Sequence, residues 1–144
     1  MYDSQERVHF EIGETASLTR TIGDSDIQMF SEISGDTNPI HLDDEYAQRT
    51  RFGRRVAHGC LVAGVVSAVL GTRLPGPGAI YLSQTLRFTK PVYPGDTITA
   101  RASVKEWDGA TGRITLVTEV VNQEGKLVLT GEARLVMSAF LGSK

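Results

Sequence analysis

A single cysteine, Cys60, leaves this chain unable to close an internal disulfide, which fits a reducing compartment. It also lacks an excess of either charge: 15 Lys and Arg stand against 17 Asp and Glu, for a formal net charge of -2. A general nucleic-acid binder needs a strongly basic surface, so no nucleic-acid partner is expected. Long apolar runs are missing too. The most apolar stretch, residues 60–74, is interrupted by Gly64, Ser67, Gly71, Thr72 and Arg73. It is shorter than the roughly 20 apolar residues that cross a bilayer. The first six residues have neither the basic start nor the apolar core of a signal peptide. A soluble cytoplasmic protein with no membrane partner is expected. There is no repeat, low-complexity stretch or linker, and the length suits one domain covering residues 1–144.

Hydrophobic residues make up 40% of the chain, enough for a packed core, and their spacing outlines the elements. Residues 16–22 alternate like a strand and are broken by Gly23-Asp24-Ser25. Ser25 and Gln28 have the spacing of a capping box, predicting a helix to about Ser34 that buries Ile27, Phe30 and Ile33. Pro39 forces a turn around residues 35–39, and Asp43 is placed to cap a short helix over residues 44–48. His58-Gly59 lead into a helix apolar nearly all round, which predicts burial. In the second half, Ile80, Leu82, Leu86 and Phe88 read as one face of a strand, with Ser83, Thr85, Arg87 and Thr89 opposite. Alternating segments over residues 97–107, 113–122 and 126–140 are joined by short Gly-containing connections, the pattern of an antiparallel meander. The expected fold is α+β, an antiparallel sheet curled around one long central helix.

The chemistry concentrates in FSEISGDTNPIHLDDEYA, residues 30–47. Asp36 and His41 flank a proline-stiffened turn. On such a loop a carboxylate and an imidazole can converge on one water, with His41 as base and Asp36 orienting it. Asn38 can bond its own loop and keep the bend in shape. The plainer alternative is an Asx turn at Asp36 and an ordinary surface histidine. His41, Asp43 and Asp44 lack a recognisable ligand spacing, so no metal is expected. His58 reads as structural, His9 carries no signal, and Cys60 reads as a small hydrophobe on the buried helix.

The run Gly35-Asp36-Thr37-Asn38-Pro39-Ile40-His41, between Phe30 and Ala47, resembles the hydratase motif of MaoC-like R-specific enoyl-CoA hydratases. The resemblance continues through Phe52-Gly53-Arg54, Val56-Ala57-His58-Gly59, Leu70-Gly71, Leu74-Pro75-Gly76 and Ile80-Tyr81-Leu82. It closes with Phe88, Pro91-Val92, Gly95-Asp96 and Thr130-Gly131-Glu132-Ala133. It implies a hot-dog fold and a homodimer, or a higher oligomer, with sites at the subunit interface. It implies hydration of a trans-2-enoyl-CoA to the (R)-3-hydroxyacyl-CoA, with Asp36 and His41 gripping the attacking water. No organic cofactor is implied. Ser67 corresponds to a serine that supports the site or shapes the acyl pocket.

Within that reading Gly59 stands at a helix N-terminus, where free N–H groups can meet the charge that develops on the thioester oxygen. It could equally just start a packed helix. Arg49, Arg51, Arg54 and Arg55 form a basic run; Arg54 and Arg55 among them are candidates for the coenzyme A phosphates, or the run is a solvated loop. Val66, Leu70 and Leu135 are candidates for the acyl-pocket floor. Residues 74–78 form either a lip over the acyl tunnel or a helix stop. Two alternatives remain: a 3-hydroxyacyl thioester dehydratase acting on coenzyme A or acyl carrier protein, and a hot-dog acyl-CoA thioesterase. A third, a non-catalytic acyl-binding subunit, is opposed by the intact Asp36 and His41.

Overall fold

The computed structural model describes residues 5–142, so the two ends of the expected 1–144 domain lie outside the described residues. Five strands, β1 (Thr15–Thr21), β2 (Ala79–Phe88), β3 (Thr97–Asp108), β4 (Arg113–Val121) and β5 (Leu127–Met137), form one sheet in the order β1-β3-β4-β5-β2. Every neighbouring pair is antiparallel. The meander β3-β4-β5 follows from its two short connections, and β1 and β2 become the edges. The helices are α1 (Asp24–Ser34), α2 (Pro39–Leu42), α3 (Asp44–Gln48) and the long α4 (Gly59–Thr72). Among the described residues no helix is long and apolar enough to cross a membrane.

Helix α4 lies in the hollow of the sheet, against strands β1 to β4. Four valines and three glycines make it an indifferent helix on propensity alone, so tertiary burial must hold it. Val62, Val65, Val66, Val69 and Leu70 supply that burial. Facing them are Ile98, Ala100, Ala102 and Val104 of β3 and Ile114, Leu116 and Val120 of β4. The small Ala100 and Ala102, both fully buried, leave room for the helix backbone. Truncating Leu116 to alanine in such a core costs about 2–5 kcal/mol. Pro75 has no N–H to continue α4, and Leu74, Pro75 and Gly76 are buried where the chain turns away. The helix-stop reading of residues 74–78 accounts for them.

Four expectations need correction. First, α1 is not capped by Ser25. Gly23 is its N-cap, and the Asp26 carboxylate accepts from the Gly23 N–H at 2.8 Å. A charged acceptor at a helix N-terminus is stronger than a hydroxyl, and Asp26 also pairs with Arg20 at 2.9 Å. Second, Ile33 is 87% exposed, because α1 buries the stripe through Ile27 and Ser31. At 3.6 residues per turn Ile33 lies about 240° round from Ile27.

Third, β2 does not keep one face. A bulge between Tyr81 and Ser83 shifts its register against β5, so Ile80 pairs with Val136 whereas Leu86 pairs with Gly131. Those partners differ by an odd step along β5, which puts Ile80 and Leu86 on opposite faces. Fourth, α4 is not buried all round. Cys60, Gly64, Ser67 and Gly71 are exposed at spacings of four, three and four, a single open strip of small side chains.

Candidate active site

Gly35 ends α1 in the left-handed region, φ 79°, donating its N–H to Ser31 O at 2.9 Å. That conformation is cheap only for glycine, and it swings the chain into the Asp36 loop. The loop is then tied down residue by residue. Asp36 N–H donates to Ser34 Oγ at 3.1 Å, Asn38 N–H to Asp36 Oδ1 at 3.2 Å, and Ile40 N–H to Asn38 Oδ1 at 3.1 Å. The last bond caps α2, whose first residue, Pro39, is preset for a helix start. Asn38 therefore shapes the bend, as its side chain suggested.

His41 sits in that single turn, 9% exposed. Its Nδ1–H donates to the Val56 carbonyl at 2.7 Å, while Val56 N–H donates to Ile40 O at 3.2 Å. The Val56 oxygen can only accept, so the proton of the neutral ring belongs on Nδ1 and the Nε2 lone pair is left free. His58 lies against this ring, with centroids 3.8 Å apart and planes 28° apart. Its Nε2 is 3.1 Å from the Asp36 carbonyl oxygen and 3.0 Å from Ser31 Oγ. Burial pulls the His58 pKa down and His41 pushes it further the same way, against a raising contribution from the Asp36 carbonyl.

A carboxylate oxygen of Asp36 and one ring nitrogen each of His41 and His58 lie within 4.8 Å of one another. A metal shell is a poor description of this cluster. His41 Nδ1 and His58 Nε2 are committed to backbone carbonyls, and the remaining His58 nitrogen, Nδ1, is fully buried in the ring stack. A carboxylate beside an unprotonated ring nitrogen is instead an arrangement able to seat one water.

Asp36 and His58 of this cluster line a cavity of about 510 Å³, whereas His41, in contact with His58, is not part of its wall. Asp36, His58, Gly59 and Cys60 form its polar end, Val62, Phe88 and Val128 are apolar wall, and Arg51 and Lys90 bring two cations. Gly59 begins α4, and the first intrahelical bonds run from Leu61 and Val62 back to His58 O. The Gly59 and Cys60 N–H groups precede them, and such leading groups have no partner within a helix. Gly59 also has a steric reason to be glycine, since a Cβ there would meet Phe88 Cε1 at 2.7 Å.

Other candidates fall elsewhere. Ser67 is on the open strip of α4 and does not line this cavity. Leu70, Val66 and Leu135 are buried in the core, also outside it. Arg55 is held by Asp24 at 2.8 Å and Asp44 at 2.7 Å, and Arg54 stacks over the Tyr93 ring at 3.8 Å. Arg51 is the member of the basic run that lines the cavity. Cys60, expected inside the core, is exposed and borders the cavity. Ser31 and Lys90 were not anticipated, and Val56 and Phe88 were named within the resemblance but given no role at the site. Ser31 had a signal of its own: a serine one turn from Ile27 on a buried helix face must find a partner.

The model for the MaoC like domain matches residues 7–126, and the chain belongs to the MaoC-like family. It is 50% identical over 127 residues to the "(R)-specific enoyl-CoA hydratase" of Rhodospirillum rubrum, covering 88% of each chain. It is 51% identical over 124 residues to the "3-hydroxybutyryl-CoA dehydratase" of Methylorubrum extorquens, covering 85% of this chain and 78% of that one. A solved (R)-hydratase from Aeromonas caviae, described as involved in PHA biosynthesis, superposes with a TM-score of 0.86 at 40% identity. That match covers 89% of this chain and 97% of the other, and the fold is the hot-dog.

Proposed function

We propose that this chain, as a single MaoC-like domain, is a hydro-lyase that adds water to trans-2-enoyl-CoA, giving the (R)-3-hydroxyacyl-CoA, and catalyses the reverse dehydration. The observation that carries this reading is the Asp36 carboxylate beside His41, whose Nε2 is freed by the Nδ1–H bond to Val56, on the edge of a cavity also walled by a helix N-terminus. Asp36 and His41 hold the water. His41 Nε2 takes its proton as the oxygen bonds to C3, and negative charge moves through the double bond to the thioester oxygen. The Gly59 N–H and the α4 dipole stabilise that oxygen. A proton then returns to C2 on the same face, so the atoms of water are accounted for. The apolar wall suits an acyl chain, and Arg51 and Lys90 suit the phosphates of coenzyme A.

We also propose that the chain works as a homodimer. Edge strand β2 carries Tyr81, Leu82, Leu86 and Phe88 at 42%, 47%, 38% and 51% exposure, an apolar edge that proteins ordinarily cover. The open small-residue strip of α4 offers close approach beside it. Sedimentation at micromolar concentration tests this, and a monomer overturns it.

The activity test uses crotonyl-CoA and longer 2-enoyl-CoAs, following enoyl absorbance and free thiol together, with chiral analysis of the product. Hydration gives loss of absorbance, no thiol and the R alcohol. Thiol release would overturn the reading in favour of a thioesterase. Asp36→Asn should lower kcat by at least about a hundredfold while the fold is retained.

A further inference from the structure

We propose that His58 is a positioning residue: its Nε2–H pins the Asp36 main chain while its ring face backs the His41 imidazole, so that one buried side chain sets the spacing of the pair. The kinetic meaning of this inference rests on the hydratase reading, but the geometry does not. His58 is 2% exposed and touches the site at three points. Through Nε2 it reaches the Asp36 carbonyl and Ser31 Oγ, through its face it stacks on His41, and through the chain it is the N-cap of α4, adjacent to Gly59. Phe30 also packs on His58, tilted by 54° with its centroid 4.7 Å away.

The tautomer follows from the partners. A carbonyl oxygen accepts only, so Nε2 must carry the proton, shared between Asp36 O and Ser31 Oγ. Nδ1 is then a bare acceptor, and it is the buried side-chain polar atom without a partner among the described residues. Leaving an acceptor unpaired costs less than burying an unpaired N–H, which again favours Nε2–H. A phenyl ring would give the same stack and bury no orphan nitrogen. What imidazole adds is the donor to the Asp36 carbonyl, and that bond links α1, the Asp36 loop and the start of α4. Protonation of the ring would put an N–H on the partnerless Nδ1 and a charge against His41, so the neutral form performs the role.

Two variants separate the contributions. His58→Phe keeps the volume and the stack but removes the donor, and His58→Gln restores an N–H. The expected result is a kcat about a hundredfold lower in His58→Phe with KM changed less than about threefold, and recovery to within about tenfold of wild type in His58→Gln. A His58→Phe enzyme with kcat within about twofold of wild type overturns the inference. Two measurements need no turnover. Nitrogen-15 spectra of histidine-labelled wild type should show His58 as the neutral Nε2–H tautomer, and the Asn38 amide should exchange about tenfold faster in His58→Phe. A Nδ1–H tautomer, or unchanged exchange, overturns the inference even in an active enzyme. A wild type that hydrates no enoyl thioester sinks the hydratase reading instead, and the spectra and the exchange rate still decide the role of His58.

Discussion

A Cβ placed on Gly59 would lie 2.7 Å from Cε1 and 2.9 Å from Cζ of Phe88. The first residue of α4 and the last of β2 thus occupy one space on the cavity wall. A methyl group there must push the ring aside, toward the cavity or off the edge strand. Gly59→Ala should therefore lower kcat about 10–100-fold, by displacing both the ring and the N–H proposed to meet the thioester oxygen. Steady-state kinetics of Gly59→Ala with and without Phe88→Leu checks this, the smaller side chain being expected to restore part of the loss.

The cations of the site divide by their partners. Arg51 and Lys90 line the cavity, whereas Arg55 is clamped between Asp24 and Asp44. Arg51→Ala and Lys90→Ala should each raise KM for a coenzyme A thioester about tenfold. Neither should change KM for the same acyl group on N-acetylcysteamine, which has no phosphates. Arg55→Ala should leave KM alone and cost about 1 kcal/mol in urea unfolding, since both acids are largely exposed.

Gly131 opposes Leu86 on the neighbouring strand, and a Cβ there would overlap the Thr85 carbonyl oxygen. Backbone in a sheet cannot step aside as a flexible side chain can. Gly131→Ala should destabilise the fold by about 2–3 kcal/mol or force β2 away from β5. Unfolding measured alongside a control at exposed Gly125, replaced by asparagine to suit its φ of 73°, separates this from a general glycine effect.

His58 predicts a pH dependence of stability. Burial first, and then the neighbouring His41, lower its pKa from 6.5, outweighing the bond to the Asp36 carbonyl. Between the folded and unfolded values the unfolded chain binds more protons, so stability rises with pH there. The full contribution of neutral His58 is present above about pH 6.5 and is lost as pH falls toward the folded value. His58→Phe should flatten that slope in denaturant titrations run below pH 6.5, and an unchanged slope would assign it to other groups.

Local chemistry carried much of this protein into view from residues alone. The turn at Gly35–Pro39, the cap at Asp43, the start of α4 at His58-Gly59 and the β3-β4-β5 meander depend on φ restriction, capping and alternation, which act over a few residues. Asp36 and His41 were legible because both belong to one proline-stiffened bend. What lay hidden needed partners far along the chain. Whether Arg55 faces a ligand depends on Asp24 and Asp44 in two helices outside its own loop, and whether His41 can serve as a base depends on the Val56 carbonyl. The β2 bulge that divides Ile80 from Leu86 exists only against β5. The place of His58 at the junction of three elements is likewise a property of packing, since stacking and a shared hydrogen bond have no signature in the order of residues.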